Sequence, residues 1–144
     1  MTLFTSVKRL PKQNRTLVKT AIAYLMMAIF CFVFQQVYNL FGHGVTSAAL
    51  SLIFLYPLLA GVLPFFLLSL LLPQAGKLAN ARFSFNCYHS GIATLTVGSL
   101  LQGIFEIAGT GSPYTVLFLL IGSLFVLIGL VGFAIALRRH SLIA

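Results

Sequence analysis

The sequence predicts an all-α membrane protein: four transmembrane helices in one up-down bundle, with both termini cytoplasmic. Three observations carry that reading. Hydrophobic residues make up 60% of the 144-residue chain and charged residues 7%, whereas a soluble domain covers itself with about a quarter charged residues. Four apolar runs each reach the ~20 residues that a helix needs to cross a bilayer. Basic residues are confined to alternate connections. Lys8, Arg9, Lys12, Arg15 and Lys19 cluster at the start of the first run, Lys77 and Arg82 lie between the second and third, and Arg138 and Arg139 follow the fourth. The short turns around His43 and Pro113 hold no Lys or Arg. This positive-inside distribution places both termini in the cytoplasm and makes the chain a multi-pass protein of the plasma membrane.

The elements follow in order. Residues 1–16 form a basic cytoplasmic segment suited to anionic lipid head groups, so the net charge of +8 needs no nucleic acid to explain it. Residues 17–137 form a single transmembrane domain with spans at 17–41, 47–72, 86–109 and 115–137, and 138–144 is a basic cytoplasmic tail. The first run exceeds the ~7–15 residues of a signal-peptide core and closes on no small-x-small cleavage site, so it reads as a retained helix. It ends at Gly42-His43-Gly44, after which Thr46 or Ser47 can cap the second helix. Pro57 and Pro64 share nearly one face of the second run, and each removes a backbone hydrogen bond and bends the helix. Pro73 ends it. A polar connection over 74–86 follows, with Phe83 and Phe85 expected at the interface. The turn Thr110-Gly111-Ser112-Pro113-Tyr114 separates the last two spans, and Tyr114 is placed to anchor in the headgroup layer. No internal repeat is evident, which gives a two-repeat transporter little support.

The third span holds most of the polar and small residues. At about 100° per residue, Cys87, Gly91, Thr94, Gly98, Gln102 and Glu106 fall on one stripe. Small residues let a second backbone approach, and Thr or Gln can bond across the contact. Gly91, Thr94 and Gly98 are fully explained as helix packing. Ser99 and Gly103 form a further small-xxx-small pair on a neighbouring face, a candidate for dimer contact.

Glu106 is the only acid in the chain. A charge at the centre of a spanning helix costs about 2.5–3.5 kcal/mol on insertion scales, so such groups face a bundle interior or a wet cavity. Gln102 lies one turn away, and the topology puts His43 at a similar depth. The expected site is a small polar pocket of Glu106, Gln102 and His43 open to the outer face, with Gln35 or Gln36 contributing. A carboxylate beside an imidazole suits proton relay, cation binding or contact with the head of a quinone or flavin. The structural alternative is that Glu106 is protonated, or pairs with His43 only to hold helices together.

Other chemistries are poorly served. His43 and His89 fall toward opposite faces, which argues against a haem held between them. Cys31 and Cys87 lie on different helices without CxxC spacing, and neither a disulfide nor a metal site is expected. No catalytic triad can be assembled around a single acid, and no phosphate-binding glycine loop or HExxH is present. No catalytic residue is assigned.

Two segments carry a resemblance. Tyr88-His89-Ser90-Gly91-Ile92-Ala93-Thr94-Leu95-Thr96-Val97-Gly98-Ser99-Leu100, continued by Gly103 and by Glu106-Ile107-Ala108-Gly109-Thr110, resembles the signature of a family of small four-helix membrane proteins of Gram-positive bacteria. The phrase Gly42-His43-Gly44-Val45-Thr46-Ser47, with Tyr56-Pro57-Leu58 after it, is similar to the same family. The resemblance covers roughly residues 40–115. It implies a link to flavin-based extracellular electron transfer, in which electrons pass from a membrane dehydrogenase through quinone to flavin-bearing surface proteins. Three readings stand at this point. The first is a non-enzymatic component of such an electron-transfer assembly, the second a small transporter or accessory transport subunit, and the third a structural, assembly or immunity-type protein. Expected partners are the bilayer itself and other membrane proteins or a second copy of the chain.

Overall fold

The computed structural model describes residues 12–41, 45–71 and 81–143 and is all-helical. Helix α1 covers Lys12–Phe41, α2 Ala48–Ser51, α3 Leu63–Leu71, α4 Arg82–Ile107 and α5 Tyr114–Ile143. Between α2 and α3 lies a π-helical segment, Tyr56–Val62. Four stretches are long and apolar enough to cross a membrane: Arg15–Phe41, Ala48–Leu71, Arg82–Ile107 and Tyr114–Arg139. These match the four expected runs, with the third beginning several residues earlier than the sequence suggests. Phe83 and Phe85 therefore belong to the first turns of α4 rather than to a connecting loop. Phe83 is exposed, but Phe85 packs inward against Phe65 and Phe133, with ring centroids 5.9 and 5.3 Å away.

The spans pack mainly as sequence neighbours, α1 against the second span, the second span against α4, and α4 against α5. The α4–α5 contact is the most extensive, because glycines on both helices let the backbones close together. Gly91 faces Val126 and Gly122, Gly98 faces Phe118, Gly129 faces Tyr88, and Gly132 faces Ser84. Rising numbers on one helix meet falling numbers on the other, so this pair is antiparallel. On α1 the buried side chains are Leu17, Ala21, Ala28 and Cys31, a stripe at three- and four-residue spacing that fits one helical face. Tyr24 lies on that stripe and seals against the second span, where a Cβ at Gly61 would overlap its ring. Leu17, Ala21, Phe65, Tyr88 and Ile92 form a core at one end of the molecule.

The second span is broken, and the prolines explain how. Ser47 caps α2 by accepting from the Leu50 N–H at 3.2 Å, as the sequence allows. After one turn the chain tightens, and the Ile53 N–H bonds Leu50 instead of Ala49. The Ala49 carbonyl is taken up by Ser99, whose hydroxyl donates to it at 2.8 Å. A proline at 64 has no N–H for the Ala60 carbonyl, and the Tyr88 hydroxyl fills that place at 2.7 Å. Unpaired carbonyls in hydrocarbon cost several kcal/mol. Two α4 side chains thus make the break tolerable at membrane depth.

Candidate functional site

Glu106 sits in the last turn of α4, which ends one residue later at Ile107. Gly109 adopts a left-handed φ of 68°, a conformation glycine takes without steric cost. It allows a Schellman closure, with Thr110 N–H to Phe105 O at 2.9 Å and Gly109 N–H to Glu106 O at 3.2 Å.

Both carboxylate oxygens are engaged. Gln102 donates through Nε2 to Oε1 at 3.0 Å, the one-turn pairing that their spacing predicts. The Ser47 hydroxyl donates to Oε2. Ser47 is buried, so its hydroxyl fixes the carboxylate against the start of the second span while its oxygen caps α2. A carboxylate offers about four acceptor positions, and these two bonds leave capacity on each oxygen. Glu106 is itself exposed and lines a groove of about 530 Å³. Gln102 and Ser99 join it at the polar end, and Leu52, Leu55, Tyr56 and Leu59 of the broken span form the opposite wall. A volume of this size falls in the range that holds small organic ligands. The groove thus has one hydrogen-bonding end and one long apolar side.

Several expected residues fall elsewhere. His43 lies outside the described residues. Gln36 is exposed on α1 and Gln35 is half-buried, and neither lines the groove. The Oε1 of Gln35 and the Oδ1 of Asn39 are buried without a hydrogen-bond partner among the described residues. The expected buried stripe of α4 does not hold toward its Glu106 end. Gly91 and Gly98 are buried against α5, but Thr94 is half-buried and bonds back to Ser90 O at 2.8 Å. The buried positions there are Thr96, Ser99 and Gly103. Ser99 and Gly103, read from sequence as a dimer face, are used within the chain: Ser99 bonds Ala49, and Gly103 packs so closely on Leu50 that a Cβ would overlap it. The reason is the short α2, whose one turn needs a small-residue surface to lie against.

At the other end of α4, His89 is held by aromatic groups. Its ring stacks on Phe65 at 5.0 Å and on Tyr24 at 5.5 Å, and Nδ1 lies 2.5 Å from the Tyr24 hydroxyl. Nothing in the spacing of two residues 65 positions apart announces that pair. Cys31 and Cys87 are free and buried. Among the described residues no group of three His, Cys, Asp or Glu could hold a metal ion. Comparison of the chain with protein-family profiles, curated proteins and solved structures finds no match.

Proposed function

We propose that this is a non-enzymatic plasma-membrane protein that holds the hydroxyl-bearing head of a quinol in the Glu106 groove, as a component of a flavin- and quinone-linked extracellular electron-transfer assembly. The observation that carries the reading is the groove itself: a carboxylate with spare acceptor capacity at one end, and a wall of Leu52, Leu55 and Leu59 along the side. A quinol offers O–H donors to the carboxylate and an isoprenoid tail to the leucines. The resemblance over residues 40–115 points to the same chemistry. In this reading the spans form an up-down bundle with cytoplasmic termini, and the groove opens toward the outer leaflet, as the basic residues imply. Helix α5 packs chiefly on α4, and its remaining apolar surface is available to lipid, to a partner membrane protein or to a second copy.

A deletion strain tests the proposal. Reduction of ferric iron or of an electrode should fall on deletion, return with the wild-type gene, and stay low with Glu106→Gln. Normal reduction in the deletion strain would remove the electron-transfer role.

One observation favours a second reading, a small transporter. The π segment beside the groove is a local break in a spanning helix, and transporters place such breaks at their binding sites. Cation-dependent uptake into liposomes carrying only this protein would select it.

A further inference from the structure

The basic end of the molecule carries a second groove, unrelated to the one at Glu106. It has a volume of about 440 Å³ and is lined by Thr16, Lys19, Thr20, Tyr24 and Met27 of α1 and by His89 of α4, with Ala23 between them. We propose that this groove seats the phosphate of an anionic phospholipid, with an acyl chain lying along Ala23 and Met27.

The donor set carries the assignment. Lys19 contributes an ammonium with three donors, and Thr16 a hydroxyl. In the tautomer that accepts the Tyr24 O–H at Nδ1, the His89 ring carries its proton on Nε2, a further donor. Thr20 is already committed to the Thr16 carbonyl at 3.0 Å. No carboxylate side chain competes. The only one in the chain is Glu106, 17 residues further along α4 and so roughly 25 Å away at 1.5 Å per residue. Phe65 stacks on the imidazole and the Tyr24 hydroxyl meets its Nδ1, which fixes the ring before the ligand arrives and lowers the ordering cost of binding. The choice of a lipid over a free anion rests on the wall. Ala23 and Met27 belong to a stretch long and apolar enough to span a bilayer, so the groove opens where acyl chains lie. Lys19 stands one turn inside the start of that stretch, at the level of a phosphate.

The test measures binding of a fluorescent short-chain phosphatidylglycerol to the purified full-length protein in a neutral detergent, with the phosphatidylcholine analogue in parallel. The anionic lipid should bind at least about tenfold more tightly. Lys19→Gln, at an exposed side chain, should remove most of that preference. His89→Phe, which keeps the ring stack and removes the N–H, should do the same. Arg15→Gln, one turn away and outside the groove, should leave affinity within about twofold. Equal binding of the two lipids would overturn the proposal, as would an Arg15→Gln loss as large as that of Lys19→Gln. Displacement of the probe by inorganic phosphate would reassign the groove to a free anion and overturn the lipid assignment.

Discussion

Ser47 and Glu106 are joined through one hydroxyl: it donates to the carboxylate of α4 while its oxygen accepts the Leu50 N–H and begins α2. The polar site and the start of the broken span are therefore one mechanical unit. Ser47→Ala removes the cap and the carboxylate's donor together and should destabilise the protein by about 0.5–2 kcal/mol. Ser47→Thr keeps the hydroxyl and should recover most of that loss. Unfolding of the purified variants in detergent measures both.

The Tyr88–Ala60 bond should matter because of Pro64. Tyr88→Phe leaves the Ala60 carbonyl without a donor and should cost about 1 kcal/mol. Pro64→Ala supplies a backbone N–H in the place the hydroxyl fills, so the two substitutions should couple. In a double-mutant cycle, Tyr88→Phe should cost less in the Pro64→Ala background. Additive effects would mean that the hydroxyl does not stand in for the missing N–H.

Gly103 separates intrachain packing from dimer contact. Gly103→Ala places a methyl group against Leu50 and should destabilise the monomer by about 1–3 kcal/mol, with oligomeric state unchanged. A change of oligomeric state at unchanged stability, read by unfolding and light scattering in detergent, would return Ser99 and Gly103 to a dimer face.

Orientation can be read with introduced thiols, since Cys31 and Cys87 are buried at 4% and 8% exposure and give little background. A cysteine replacing Gly111 should react with a membrane-impermeant maleimide in intact cells. One replacing Arg139 should react only after permeabilisation. The reverse pattern would turn the molecule over and place the Glu106 groove on the inner side.

The sequence made much of this legible, and the gaps have a common cause. Run length and the proline positions foretell four spans and a disturbed second one, because bilayer thickness and a missing N–H act on local sequence alone. The Gln102–Glu106 contact is equally local, one turn of one helix. From sequence Ser47 is legible only as a cap. Its second role depends on how α2 lies against α4, and periodicity does not encode the register between helices. The same holds for Tyr24 with His89 and for Ser99 with Ala49. A single stripe on α4 presupposes one buried face. The helix has two neighbours, α5 beside Gly91 and Gly98 and the second span beside Ser99 and Gly103, so its buried surface turns along its length.

The central claim is that the Glu106 carboxylate receives a hydroxyl-bearing head group, and duroquinol binding to the purified protein tests it most directly. Wild-type protein should bind duroquinol more tightly than duroquinone, which has no O–H to donate, and Glu106→Gln should weaken duroquinol binding by about tenfold, or roughly 1.4 kcal/mol. Equal affinity of the wild type and Glu106→Gln for duroquinol would contradict the account.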